Sequence, residues 1–353
     1  MTSDIIVLGD LYEDLYYESN FYEEHAKLLT SKILNFIKYN PDDLNKNLLE
    51  KIVLKGFSDN QIQNDGRCYF KRGGNGNCIS EIFTRSGIPT KLVSIIRREG
   101  EWMVEELAKI GVDTTNIIRS NEILPIRIIV TSNNGTKILL KPNLPNKWTF
   151  NEKTLEDYEF HQSKLIFCAS NSNIFIEILE KGSKLGLITA LSIEDENFNS
   201  YEQFGRILNS RHDILFLKIK DVNAMVKEEL FVEQIDTKYR NYAKIRVFMS
   251  GKNGTVIRTD KLNLHFPSLV EENEIDLLSL AECFQGGFLI KFLELINNKE
   301  LLNELLTNKN VENLKTILVK CEEFAVYLTN FKNLHHYLPN RKDLEKFIMN
   351  FEK

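Results

Sequence analysis

Seven short β-branched runs, each beside a stretch of helical periodicity, predict an α/β protein with a mostly parallel central sheet covered by helices on both faces. Their apolar residues run mostly consecutively rather than alternating, as suits strands buried on both faces. The chain has 353 residues, 42% of them hydrophobic, enough to bury one large core, and the expectation is a single domain over residues 1–353.

The first run, DIIVLG from Asp4 to Gly9, ends in a glycine that opens it into a loop. KLVSII (91–96), IRIIVT (126–131), KLIFCAS (164–170), LGLITAL (185–191), DILFLKI (213–219) and AKIRVFMS (243–250) follow. Two segments break the rhythm. Tyr22 to Tyr39 and Pro41 to Phe57 both carry apolar residues at three- and four-residue spacing, and Pro41 with Asp42 and Asp43 suits a helix start. They predict a helical insertion within residues 15–70, with Leu28, Leu29, Ile33 and Ile37 as its apolar stripe. Beyond Leu289 the periodicity is helical almost to the end.

Composition excludes several classes. A net charge of -5 leaves no basic surplus to neutralise phosphates along a duplex, so no nucleic-acid partner is expected. No run of about 18 apolar residues offers a membrane span, and MTSDIIVLGD turns acidic too early for a signal peptide. A cytoplasmic protein without membrane contact is the expectation. The five cysteines, Cys68, Cys78, Cys168, Cys283 and Cys321, lie far apart without a CxxC pair, which suits reduced thiols. His335 and His336, adjacent on a helix, point in different directions and do not share a metal.

Three segments are candidates for chemistry. In KRGGNGNCISEIFTRSG (71–87), Gly73, Gly74 and Gly76 precede a helical face of Ile79, Ile82 and Phe83. Glycines before a helix let backbone N–H groups approach a polar ligand at the positive end of the helix dipole, though a tight loop entering a core helix needs the same residues. MSGKNGTVI (249–257) reads as strand, Gly-x-x-Gly turn and strand, which a hairpin explains as well as a nucleotide does. EIDLLSLAECFQGGFL (274–289) starts a helix with one acid, Glu282, in apolar company and two glycines, Gly286 and Gly287, inside the apolar run.

Taken in order, GDLYED, RGGNGNCISEIFTRSG, LAKIGVDTTNI, IRIIVTSNNGTKILL, DILFLKIKD, MSGKNGT and DLLSLAECFQGGFL resemble the PfkB, or ribokinase-like, family of small-molecule kinases from about Asp4 to Phe347. GDLYED and the strands around SNNGTK look most like its heptose-phosphate kinase branch. The resemblance implies a ribokinase-like three-layer α/β fold with a small lid, and transfer of a phosphate from ATP to a hydroxyl of a sugar, sugar phosphate or nucleoside. It implies ATP with Mg2+, leaves room for a monovalent cation, and allows a homodimer formed through the lid. Carried over by position, Asp14 would bind acceptor hydroxyls, with Gly73, Gly74 and Asn75 lying against the acceptor. The family's asparagine falls on Asn77 or on Cys78, depending on how the glycine turn is counted. Ser250, Gly251 and Gly254 would border the nucleotide, Lys218 and Asp221 stand where the family has Asn-x-x-Glu near phosphates and metal, and Asp276 would lie by the metal. Ser279, Leu280 and Ala281 would supply backbone N–H groups to the phosphoryl group, and Glu282 the general base.

The departures define a second expectation. The family's Asp-Thr-Thr-Gly-Ala-Gly-Asp turn here reads Asp276, Leu277, Leu278, Ser279, Leu280, Ala281, Glu282, so both glycines are gone and the acid is one methylene longer. A residue with a Cβ, in a backbone conformation that only glycine adopts cheaply, would strain that turn. The alternative is therefore a ribokinase-like protein with impaired catalysis that binds or senses a ligand.

Overall fold

The computed structural model describes residues 3–19, 27, 29–35, 38, 51, 66–121, 126–131, 137–140, 154–169, 175–193, 211–219, 231–268 and 279–351. The chain divides into two compact units. The larger comprises Met1–Tyr12, Arg72–Leu124 and Leu144–Lys353, and the smaller Glu13–Lys71 and Pro125–Asn143.

The strands are β1 (Ile5–Leu8), β2 (Tyr12–Glu18), β3 (Arg67–Gly73), β4 (Thr90–Arg97), β5 (Ile117–Ser120), β6 (Arg127–Thr131), β7 (Lys137–Leu140), β8 (Leu165–Cys168), β9 (Ile188–Ile193), β10 (His212–Lys218), β11 (Ala243–Met249), β12 (Thr255–Arg258) and β13 (Asn263–Phe266). The helices are α1 (Asn75–Arg85), α2 (Glu101–Ile110), α3 (Asp157–His161), α4 (Ile176–Lys184), α5 (Val232–Tyr239), α6 (Leu280–Leu295), α7 (Lys299–Leu305), α8 (Val311–His335) and α9 (Arg341–Phe351).

In the larger unit nine strands form one sheet in the order β13-β12-β11-β10-β9-β8-β1-β4-β5. From β11 to β5 every pairing is parallel; β12 and β13 close the other edge antiparallel. The strand interiors are apolar because both faces are covered. Ile5 and Val7 of β1 point into a core with α1, α2, α6 and α8, while Ile6 and Leu8 point into a second core with α3, α4 and α5. Side-chain alternation along each strand thus feeds two cores from one sheet.

The smaller unit carries a four-stranded sheet ordered β3-β2-β6-β7. IRIIVT, grouped by its sequence with the main parallel sheet, instead pairs here, parallel to β2 and antiparallel to β7. Its apolar run does not distinguish the two sheets. Tyr16 of β2 stacks on Tyr69 of β3, with the Lys71 ammonium about 5 Å from both ring centres. Of the expected insertion helices, residues 27, 29–35, 38 and 51 are helical. The rest of that expectation, including Leu28 and Ile37, lies outside the described residues.

The two glycines inside α6 have a packing reason. A Cβ on Gly286 would stand 2.7 Å from Cγ2 of Ile82 in α1, and one on Gly287 would stand 2.8 Å from the Cα of Ala325 in α8. Both distances are far below contact, so α6 can lie between those helices only where it lacks side chains. The roughly 1 kcal/mol that each glycine costs in a helix is offset by this close approach.

The same α8 buries Glu322, 4% exposed, and burial, with the neighbouring Glu323 charge adding, pushes its carboxyl from 4.5 up to about 7. A folded-state value above the unfolded one means that the native state binds the extra proton. With respect to this group stability is therefore fully present below pH 4.5 and is lost as pH rises to about 7, by an amount on the order of 3 kcal/mol. Glu322→Gln is expected to raise the melting temperature at pH 8 by several degrees and to leave it nearly unchanged at pH 5. Equal shifts at both pH values would show that the ionised carboxylate carries no such cost.

Candidate functional site

The candidate site of the larger unit lies at the carboxyl ends of its parallel strands, where the first turns of α1 and α6 come together. Gly76, in the first turn of α1, packs backbone to backbone on Gly9 at the end of β1, a Cβ there reaching 2.6 Å from the Gly9 carbonyl carbon. The amide of Asn77 donates to the carbonyl of Asp10 at 3.1 Å. On α6, Gln285 donates through Nε2 to Oγ of Ser192 near the end of β9 at 2.9 Å, and both residues are buried. Gln285 follows Glu282 by one turn, so this bond moors the acid-bearing end of α6 above the sheet edge.

The two helix starts meet through Cys78. Burial pushes its thiol well above the ordinary range, and the Glu282 carboxylate pushes the same way. A hydrogen bond with Ser279 opposes them, Glu81 adds a smaller push, and the Lys332 ammonium of α8 a smaller pull. Cys78 is accordingly a neutral thiol, a poor nucleophile standing beside the Glu282 acid. Two helix N-termini side by side bring positive dipole ends together, the electrostatic setting that favours an anion.

Ser279 precedes α6 with φ 71° and ψ 3°, and its carbonyl accepts the first helical bond, from the amide of Cys283 at 2.8 Å. The amides of Leu280, Ala281 and Glu282 thus come before the helical ladder begins. Of the two positions that lack the family's glycines, Ser279 takes the left-handed conformation and Ala281 is helical. That strain is worth about 1–2 kcal/mol for a residue with a Cβ. Ser279→Gly would relieve it but loosen the unfolded chain by about 0.4–1 kcal/mol, so a stability within about 1 kcal/mol of the parent is expected. Ser279→Val places a β-branched residue at positive φ and removes the hydroxyl on Cys78, with an expected loss of about 2 kcal/mol in urea unfolding. Equal stabilities for the two variants would contradict the left-handed geometry.

Of the residues expected to face an acceptor, Gly73 ends β3, Gly74 caps α1, and Asn77 lies in the first turn of α1. Its Oδ1 accepts from Nη1 of Arg72 at 2.6 Å, and the same guanidinium reaches Glu81 at 3.1 Å and Glu106 at 2.8 Å. Cys78, the residue after Asn77, stands beside Glu282. Arg72 was not signalled by any motif; a charged residue just before a glycine turn was the only hint.

Among the residues expected to border a nucleotide, the β10–β11 register sets Lys218 directly opposite Met249, which precedes Ser250. The Ser250–Gly254 turn is closed by the Ser250 amide donating to the Gly254 carbonyl at 2.9 Å and by the Asn253 amide donating to the Ser250 carbonyl at 3.1 Å. Lys218 is exposed at that strand end. Asp221 and Asp276 lie outside the described residues, and among the described residues no three His, Cys, Asp or Glu side chains converge on a metal position.

Asp14 belongs to the smaller unit. It is 2% exposed and held by Arg127 across the β2–β6 pair. A groove of about 440 Å³ between α6, α8 and α9, lined by Ile290, Phe324 and Leu344 among others, is a separate feature. Ile290 lies about 12 Å along the helix from Glu282, at the wrong end of α6 for the clustered amides. No helix among the described residues is long and apolar enough to cross a membrane.

No family model matches the chain. Solved structures do. A fructokinase with bound ATP from Xylella fastidiosa superposes with a TM-score of 0.70 at 11% identity, covering 99% of this chain and 100% of that one. A ribokinase from Arabidopsis thaliana, complexed with ribose and ATP, gives a TM-score of 0.66 at 14% identity over 98% of this chain and 99% of that one. A nucleoside kinase from Methanocaldococcus jannaschii, an archaeal member of the ribokinase family, gives 0.63 at 12% identity over 99% of both chains. The fold is therefore ribokinase-like from end to end: a mostly parallel central sheet with helices on both faces, and a small second sheet.

Proposed function

We propose that the chain is a divergent PfkB-type kinase that transfers the γ-phosphoryl group of ATP to a hydroxyl of a sugar, sugar phosphate or nucleoside. The observation that carries this reading is the meeting of the α1 and α6 N-termini at Cys78 and Ser279, with the Glu282 carboxylate in the first turn of α6. The sugar and nucleoside kinases of the same fold, two of them with ATP bound, support it.

In this reading the acceptor hydroxyl gives its proton to Glu282 as its oxygen forms a bond to the γ-phosphorus. The bond from that phosphorus to the β,γ-bridging oxygen breaks, and ADP leaves with the electron pair. The amides of Leu280, Ala281 and Glu282, aligned with the helix dipole, hold the charge on the transferring group. Ser250, Gly251 and Gly254 border the nucleotide, and Lys218 at the adjoining strand end supplies a point charge for its phosphates. Gly73, Gly74, Asn75 and Asn77 lie against the acceptor, and Asp14 is a hydroxyl-binding carboxylate of the smaller unit. Mg2+ would accompany ATP, with Asp221 and Asp276 as the acids the sequence offers for it.

Incubating the protein with MgATP and a panel of ribose, fructose, fructose 6-phosphate and adenosine, with products followed by 31P NMR, tests the reading. A phosphorylated acceptor is expected from at least one member. The strained Ser279 favours the second reading, a binding module without turnover. That reading requires acceptor binding with no product from any member of the panel.

A further inference from the structure

We infer that Arg127 is a positioning residue of the acceptor site, acting through Asp14; this rests on the reading that Asp14 binds acceptor hydroxyls. In the parallel β2–β6 pair Asp14 and Arg127 stand directly opposite each other in register. The guanidinium grips the carboxylate side-on: Nε donates to Oδ1 at 2.6 Å and Nη2 donates to Oδ2. The two side chains are 13% and 3% exposed for Arg127 and Asp14.

Three physical consequences follow from that geometry. A carboxylate this buried is costly unless paired, and Arg127 is the pairing cation that the sheet register supplies. A two-point fork fixes the plane of the carboxylate as well as its position, which a single contact would leave to rotate. With the carboxylate held in one orientation by the fork, any hydroxyl it binds meets it in a fixed geometry. Arg127 itself needs no contact with the acceptor to set its affinity.

Specificity for hydroxyl geometry then depends on a residue 113 positions away in sequence from the carboxylate it aligns. Lysine in its place would keep the charge but not the fork, since an ammonium is a point donor that does not hold a plane. The acceptor should feel this change and ATP should not.

The test is calorimetric titration of ribose, fructose, fructose 6-phosphate and adenosine, beside titration of MgATP, into the full chain and its Arg127→Lys, Arg127→Met, Asp14→Ala and Asp14→Ala/Arg127→Met variants. For the acceptor the parent binds best, Arg127→Lys is expected to weaken binding about 10-fold and Arg127→Met about 100-fold, with MgATP affinity unchanged. Where turnover is measurable, KM rises with kcat within threefold. In the Asp14→Ala background Arg127→Met should add no further loss, because the partner through which it acts is gone.

Acceptor affinity within threefold of the parent in Arg127→Met overturns the inference. So does a parallel loss of MgATP affinity in Arg127→Lys and Arg127→Met, which would mark a general structural role, and so does full additivity in the double variant. A parent that binds an acceptor but transfers no phosphate refutes the kinase reading while leaving this inference to the binding data. A parent that binds none of the four overturns both.

Discussion

Glu282→Ala is expected to lower kcat for phosphoryl transfer by about 10³-fold while leaving acceptor and ATP affinities within a few-fold. General-base catalysis contributes about 10² to 10⁴ in rate, and a loss of 10³ corresponds to about 4 kcal/mol of transition-state stabilisation. An acid in the first turn of a helix also stabilises it through the dipole, but by no more than about 1 kcal/mol, so the variant should stay folded. Glu282→Gln should fall as far as Glu282→Ala, because an amide cannot take the proton. Glu282→Asp is the more discriminating change. It shortens the side chain by about one bond, 1.5 Å, and a misplacement of about 1 Å costs on the order of 100-fold. The backbone cannot advance to compensate, because Gln285 bonds to Ser192 and Gly286 and Gly287 seat α6 between α1 and α8. Glu282→Asp should therefore lie between the parent and Glu282→Ala. Steady-state kinetics on the acceptor found in the panel checks the series, and a Glu282→Ala variant within threefold of the parent removes Glu282 from the role of base.

The parts of this architecture that could be read from the sequence are those whose cause is local. Most of the parallel strands announce themselves as apolar runs, since burial on both faces leaves no polar positions in IIVL or LIFC. The edge strand β5, IIRS, is half exposed and gave no such run. Helix α6 is apolar on every side for the same reason, and its lone first-turn acid stands out against that background. What escaped the sequence depends on partners far along the chain. β2 and β3, YEDLYYE and RCYFKRG, are too polar to resemble the buried runs, because they belong to a sheet with mostly half-exposed strands. Arg127 looks like an unremarkable strand residue until the register sets it against Asp14. The contact of Cys78 with Ser279 and Glu282 was hidden for the same reason, because it joins two helices far apart in the chain. The left-handed Ser279 is a similar case: its cost was foreseeable from the missing glycine, but not that Ala281 would escape it.

Gly74→Ala is expected to destabilise the protein by about 2–5 kcal/mol, a sizeable fraction of the 5–15 kcal/mol that holds a typical domain together. Two separate penalties act at this position. Gly74 adopts φ 100° and ψ 149°, a region that is essentially restricted to glycine and costs other residues about 1–3 kcal/mol. Its Cβ would also stand 2.3 Å from the carbonyl oxygen of Asp10 and 2.7 Å from that carbonyl carbon. These are backbone atoms at the end of β1, so no side-chain rotation relieves the overlap, and overpacking of this kind costs about 1–3 kcal/mol more. The lower entropy of an unfolded chain with alanine returns only about 0.4–1 kcal/mol. Gly87→Ala separates the two penalties. Gly87 also has a positive φ, 83°, but nothing lies within 4 Å of the position its Cβ would take. Its substitution should cost the backbone strain alone, about 1–2 kcal/mol. Urea unfolding of both variants measures the difference directly. If Gly74→Ala costs no more than Gly87→Ala, the turn has room to move away from β1. The start of α1 would then not be held where the bond from Asn77 to Asp10 and the proximity of Cys78 to Glu282 require it to be. A larger cost for Gly74→Ala, accompanied by a loss of acceptor affinity in the surviving folded protein, would show that the same close approach which stabilises the fold also places the first turn of α1 for binding.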